Sequence, residues 1–282
     1  MLARASSAPQ SAERLSARRR RSRRRARILL VLLVLILLGA LLWGFRQPAV
    51  RIARVDVVAG NPSLASYATS TMSGFYLFGL VPRDSFFFVP EDTMRHAILA
   101  DHPDIAAVSI SRESLTALSI RAIARTAVAR WCGSAPPANM ASSTSGTENC
   151  TVFDPNGFLF EPFSSTTPTL NPFAFYEPLA ASSTDALGRT LPSADQLPSA
   201  FDFARRVAVF GSPVVRVVVR GGEVDDYLGS GTRVTYVLGD EQNAITALVS
   251  ASAGLNLADG SLEYVDLRFD GKVYLKKVEP RK

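Results

Sequence analysis

Apolar and polar positions alternate in three different ways along this chain. Ile28 to Phe45 (ILLVLLVLILLGALLWGF) is continuously apolar. At about 1.5 Å of helical rise per residue it spans roughly 27 Å, close to the hydrocarbon thickness of a bilayer, so a transmembrane helix is predicted over 28–45. Beyond it, short stretches with a period of two alternate with stretches of helical period. Val50–Val58 (VRIARVDVV) reads as a strand with Val55 and Val57 in register. Gly60 and Asn61-Pro62 break it, Ser63 is placed to cap a short helix to about Met72, and Ser73-Gly74 stops that helix. Pro90 opens a second helix, Glu91–Ala100, with acids in its first turn, and His102-Pro103 closes it. Two strand-like stretches follow, Ile105–Ser111 and Leu118–Ala124, separated by a connection of hairpin length. Between the helices lies an aromatic loop, Phe75–Val89 (FYLFGLVPRDSFFFV), whose large apolar side chains point to packing on the domain, or to contact with lipid or a partner.

Further along the pattern thins and then returns. Phe163–Pro198 is rich in Ser, Thr and Pro and reads as a long, partly ordered excursion, because Pro168, Pro172 and Pro178 are poor occupants of a central strand. Leu197, Phe201, Ala204 and Ala208 have helical spacing, and Gly211 and Pro213 end that helix. Val214–Val219 and Arg233–Leu238 read as strands, with Asp225-Asp226 between them as turn acids. Asp240 is placed to cap a helix through about Ser252. The predicted fold class is therefore α+β: a single N-terminal transmembrane helix, a β-α-α-β-β domain, and a mixed-strand β domain with flanking helices.

Charge gives the apolar segment its orientation. Eight arginines fall within Arg18–Arg27, and residues 1–27 balance to +9 (ten Arg against Glu13), leaving 21 basic and 24 acidic side chains, a balance of −3, for the rest. Arginines on one flank only predict residues 1–27 in the cytoplasm and the chain after Phe45 outside, with Trp43 at the far headgroup boundary. A cleavable signal would carry a shorter apolar core and a small-x-small site, which GFRQPAVRI does not offer, and a twin-arginine signal suits so long a Leu/Val run less well than an anchor. The basic tail reads as a topology determinant against anionic lipid; with the outer part acidic, nucleic-acid binding is not expected.

Cys132 and Cys150 lie on the outer side and flank a Gly/Ser/Pro/Ala-rich loop between two strand-like runs. A disulfide closing that loop would contribute about 3 kcal/mol, and two free thiols remain the alternative reading. Two cysteines and two distant histidines, His96 and His102, make a zinc site improbable.

Several motifs resemble one family. The order strand, helix, helix, strand, strand behind a membrane anchor looks like a POTRA domain. Ala124-Arg125-Thr126-Ala127-Val128-Ala129-Arg130-Trp131 resembles the Glu-Arg-x-Pro-Val-Ala-x-Trp exit from the POTRA domain of the bacterial division protein FtsQ (DivIB in Gram-positive bacteria), departing at Ala124 and Ala127. Val152–Phe160 (VFDPNGFLF) is similar to that family's apolar-x-Asp-x-x-Gly-x-x-Phe hairpin, and Asn156-Gly157 is a strong turn signal in its own right. Tyr264–Asp270 (YVDLRFD) followed by Lys272–Lys276 (KVYLK) is similar to the last two strands of the family's β domain. The resemblance runs from about residue 18 to 276. It implies a basic cytoplasmic tail 1–27, an anchor 28–45, a POTRA domain 50–125, an FtsQ-type β domain 126–278 and a polar tail 279–282.

No GxSxG, HExxH, Walker or GxGxxG motif occurs, and His96 and His102 read as surface and helix-stop residues, so no enzyme, cofactor or small-molecule substrate is expected. Asp266 and Arg268 share a strand face and are placed to pair. What the resemblance implies is a bitopic scaffold at the division septum, linking FtsB/DivIC-type and FtsL-type membrane partners. The alternative is a POTRA-bearing accessory of a secretion or outer-membrane assembly system. The terminal strand Lys272–Lys276, short and lysine-flanked, reads as a protected sheet edge able to accept a chosen strand, with Tyr264, Arg268, Val273, Tyr274 and Leu275 as the candidate partner-binding residues. Alternation puts Val273 and Leu275 on one face and Lys272, Tyr274 and Lys276 on the other.

Overall fold

A computed structural model describes residues 10–76, 79–136, 149–179 and 186–279. The first nine residues of the basic tail, most of the loop between the cysteines, residues 180–185 of the Ser/Thr/Pro-rich stretch and residues 280–282 of the polar tail lie outside the described residues. The chain is mixed α+β, with one N-terminal apolar helix and one large sheet. It divides into two compact units, residues 1–98 with 108–122, and residues 99–107 with 123–282.

In the first unit, α1 (Gln10–Phe45) begins well before the apolar run. Its segment Arg24–Phe45 is long and apolar enough to cross a membrane, and by length and composition it fits an anchor or a signal sequence. Then come β1 (Arg54–Ala59), α2 (Ser63–Thr71), a small hairpin of β2 (Phe75–Tyr76) and β3 (Val81–Pro82) inside the aromatic loop, α3 (Glu91–Asp101), β4 (Ile105–Ser114) and β5 (Ala117–Ala124). The sheet order is β1-β5-β4, with β1 parallel to β5. A parallel pair requires a long connection, and here both helices lie within it. Leu64, Ala68, Met94, Ile98, Leu118 and Ile120 are fully buried. The Ser63 hydroxyl does not cap α2: the Asn61 side-chain oxygen accepts the Ser63 N–H at 3.0 Å, an Asx turn that satisfies the helix start from two residues upstream.

Among its described residues the second unit is built on nine strands: β6 (Ala129–Trp131), β7 (Thr151–Phe153), β8 (Leu159–Pro162), β9 (Ala174–Tyr176), β10 (Val214–Arg220), β11 (Glu223–Leu228), β12 (Arg233–Val237), β13 (Leu262–Asp266) and β14 (Tyr274–Lys277). Their spatial order is β14-β13-β12-β11-β10-β9-β6-β7-β8. Two parallel pairs, β9–β10 and β12–β13, are each bridged by a helix, α4 (Leu197–Ala208) and α5 (Glu241–Ala251) respectively. Both helices cover the same sheet face. Leu197, Phe201, Ala204 and Val207 of α4 and Ala244, Ile245 and Leu248 of α5 share one core with Phe153, Phe175, Val217, Val224, Val234 and Val265 of the strands. α5 starts without a side-chain cap from Asp240; the Glu241 carboxylate accepts the Gly239 N–H instead, at 2.8 Å.

Two expectations are corrected here. The proline-rich excursion contains β9, which sits in the middle of the sheet between β10 and β6. Three residues suffice because Pro172 and Pro178 lie outside the strand and owe the ladder no N–H. Asp225-Asp226 is not a turn but the centre of β11, paired with Val218 and Val217 of β10. Asp225 lies on the helix-free face, ion-paired with Arg220 and accepting the Thr235 hydroxyl at 2.6 Å. Asp226 points the other way, between Val217 and Val234 and into the helix-covered core; it is wholly buried, and among the described residues neither of its carboxylate oxygens has a hydrogen-bond partner.

Burial therefore pushes the Asp226 carboxyl well above its ordinary value of 3.8. The nearby Tyr236 hydroxyl is raised too, by burial first and then by the charges of Asp226 and Glu241. The native state keeps the Asp226 proton after the unfolded chain has lost it, so this site lowers stability as pH climbs above the ordinary aspartate range. Asp226→Val, matching its valine neighbours, is expected to gain about 1–3 kcal/mol at neutral pH. Urea midpoints at about pH 7 and about pH 4 check this: the gain must shrink at the lower pH.

Cys132 and Cys150 are joined by a disulfide across the mouth of the β6–β7 hairpin, with Cα atoms 4.2 Å apart. The bridge closes a loop with a sequence separation of 18. Replacing both cysteines by alanine is expected to cost about 3 kcal/mol, read as a lower denaturant midpoint, and unreduced digests should contain the linked peptides.

Candidate partner-docking edge

Of the two ends of the large sheet, only one is open along its length among the described residues. At β8, the main chain of Gly188–Leu191 hydrogen-bonds back onto Gly157 and Leu159, and Pro162 has no N–H to offer. At β14 no described residue pairs with the outer side, and all four residues of the strand are exposed.

The β13–β14 register decides which side chains flank that edge. Val265 lies opposite Leu275, Asp266 opposite Tyr274 and Tyr264 opposite Lys276. Leu275 therefore shares the helix-covered face with buried Val265, while Tyr274 and Lys276 share the helix-free face with Asp266 and Tyr264. The strand begins two residues later than its predicted start at Lys272, but the alternation is as expected. Tyr274 and Leu275 are 49% and 44% exposed.

The other three candidates sit differently. Val273 is half-buried against the main core and lines a cleft of about 460 Å³ with Asn243, Thr246, Ala247 and Asp270, between α5 and the entry to β14. Tyr264 lies one strand in, beneath the Arg233 guanidinium at 5.5 Å from its ring centre. Arg268 is locked in place: it grips Asp266 with two hydrogen bonds, 3.0 and 2.7 Å, and donates to Glu223 at 2.7 Å. The Asp266–Arg268 pairing expected from the sequence is thus present. Arg268 holds the Asp266 carboxyl below its ordinary range, so this clamp keeps its charge through neutral pH and loosens only as acid titrates Asp266.

The sequence reading missed two residues. Phe269, 50% exposed, packs edge-on against Tyr274 at 5.2 Å and makes an aromatic pair beside the open edge. Val278, 52% exposed, continues the strand direction and donates its N–H to Ser261. Phe269 lies just beyond β13, where period-two alternation carries no information about direction. The edge also bears a cation that is already paired, Lys276 with Glu263 at 2.7 Å.

A second cluster joins two of the quoted motifs. Arg125 forms an ion pair with Asp154, donates through Nε to the Pro103 carbonyl at 2.9 Å, and stacks over Phe158 at 4.1 Å. Asp154 is almost fully buried and accepts the N–H groups of Asn156 and Phe158 at 2.9 and 3.0 Å, while Gly157 takes a positive φ of 72° in the same turn. This arrangement fixes a turn; it leaves no titratable group free for chemistry. Among the described residues no group of three or more His, Cys, Asp or Glu could hold a metal ion. Neither the protein-family models nor the curated proteins contain a match to this chain.

Proposed function

We propose that this chain is an FtsQ-like, single-pass scaffold of the bacterial division machinery, with its tail in the cytoplasm and its two units outside. In this reading it performs no chemistry of its own and links FtsB/DivIC-type and FtsL-type membrane partners at the septum. The observation that carries the reading is the open β14 edge. It offers a row of main-chain donors and acceptors, with Tyr274 and Phe269 on one face and Leu275 and the Val273 cleft on the other. Strand addition uses such an edge: main-chain hydrogen bonds supply affinity, and alternate side chains supply specificity.

Apart from the small β2–β3 hairpin between its helices, the first unit has the β-α-α-β-β order and, with sheet order β1-β5-β4, is consistent with a POTRA domain; the apolar helix with its one-sided arginines supports the orientation. A fluorescent fusion in dividing cells tests the reading. A band at mid-cell that follows constriction is expected; a uniform envelope signal throughout division would contradict a septal scaffold and favour a role in secretion or outer-membrane assembly.

A further inference from the structure

We infer that the aromatic loop of the first unit is a lipid-facing collar that seats this unit on the bilayer surface. The inference rests on the reading of α1 as an anchor and goes beyond it, because an anchor alone leaves the unit free to stand off the membrane.

The loop is tied to the exit of the apolar helix. Within a few residues of Phe45, the main chain pairs with the loop: Ile52 N–H donates to the Asp84 carbonyl at 2.7 Å, and Phe86 N–H donates to the Val50 carbonyl at 2.8 Å. Arg51 grips the Asp84 carboxylate, with its closest contact at 2.6 Å. The other arm of the loop is held by Arg46, which donates to the Gly79 carbonyl at 2.6 Å. At the centre, the Phe45 ring meets Phe87 and Phe88 at 5.7 and 5.1 Å. Phe87 and Phe88 therefore lie level with the last residue of the apolar segment.

Val81 and Val89 of the loop are buried, but four of its apolar side chains are not packed away: Phe75, Leu80, Phe87 and Phe88 are each between 41% and 57% exposed. Phe87 and Phe88 join the end of the apolar helix through Phe45. An exposed apolar patch of this kind marks an interaction site, and aromatic rings favour the headgroup boundary. The nearby acids are neutralised: Asp84 by Arg51, Glu91 by Arg112 at 2.7 Å and Asp92 by Arg95 at 2.9 Å. Anionic headgroups thus meet paired carboxylates, with Arg46 and Arg83 close by. Lipid is the occupant because Phe87 and Phe88 pack on Phe45, the last residue of the apolar segment, and at the end of a membrane span that depth belongs to headgroups and upper acyl chains.

The test uses the full chain in vesicles of phosphatidylcholine and phosphatidylglycerol. With Cys132 and Cys150 bridged, Phe87→Cys and Phe75→Cys variants each take one environment-sensitive fluorophore, and Trp43→Cys reports the anchor itself. Lipids brominated high or low on the acyl chain serve as quenchers. The collar predicts blue-shifted emission at residues 87 and 75, quenched by the high bromines and little affected by the low ones, at a depth of about 5–10 Å. Quenching at residue 43 with none at 87 or 75 overturns the collar and leaves the anchor standing. No quenching at any of the three positions overturns both. Labels at 87 and 75 that escape both quenchers and shift only as protein density in the bilayer rises would assign the face to a second copy of the chain, and the lipid assignment would fall.

Discussion

Replacing Asp154 by alanine is expected to destabilise the second unit by about 3–5 kcal/mol, the usual cost of removing one partner from a buried ion pair. The reason lies in what remains. Arg125, itself largely buried, would lose its counter-charge while still held by Pro103 and stacked on Phe158. The N–H groups of Asn156 and Phe158 would lose their acceptor as well, so the tight turn between β7 and β8 would loosen. Asp154→Asn keeps an acceptor for the turn and is expected to cost less than alanine; Arg125→Ala leaves the turn hydrogen bonds in place and should likewise cost less. Urea denaturation followed by Trp131 fluorescence orders the three variants. Equal midpoints for wild type and Asp154→Ala would mean that the pair contributes nothing.

Tyr274→Ala is expected to weaken partner capture by about 2 kcal/mol or more, a rise of roughly thirtyfold in Kd, with little change in stability. Tyr274 is half-exposed and touches Phe269 on the side away from the core, so its removal takes an anchor without opening a cavity. Leu275→Pro acts by a different route. It removes a main-chain donor and stiffens the strand, and it should reduce capture even though the side chain stays apolar. Val273→Ala should do both: it widens the cleft beside α5 and also thins the core that supports the edge. Titrating an FtsB-type segment against each purified variant, with circular dichroism as the folding control, separates these cases. Folded variants that bind as wild type does would place docking elsewhere.

How much of this was legible beforehand follows from where the determining contacts lie. The helix α4 was readable because its buried residues repeat at a local period, and the β7–β8 hairpin because Asn156-Gly157 carries its own turn preference. The pairing of Asp266 with Arg268 was readable for the same reason, since the two residues are near neighbours in sequence. β9 was hidden because three residues between prolines have no detectable period; their burial comes wholly from strands distant in sequence. β11 was hidden by its acids: EVDDYL has turn-like composition, and only Arg220, Thr235 and the core valines from neighbouring strands make it a strand.

The candidate docking edge was legible in part. Alternation assigned the faces of β14, but only the sheet order shows that this strand lies at an end and that the opposite end is partly covered. Val273 was named as a partner-binding candidate on the face it shares with Leu275, and alternation alone could not tell whether that face turns to solvent or to α5.

Amide hydrogen exchange on the full protein, with and without an FtsB-type partner segment, tests strand addition most directly. The account predicts that those amides of Tyr274–Lys277 not bonded to β13 exchange quickly alone and gain protection when the partner binds, while β8 is unaffected. Binding that leaves those amides unprotected, or that protects β8 instead, would contradict it.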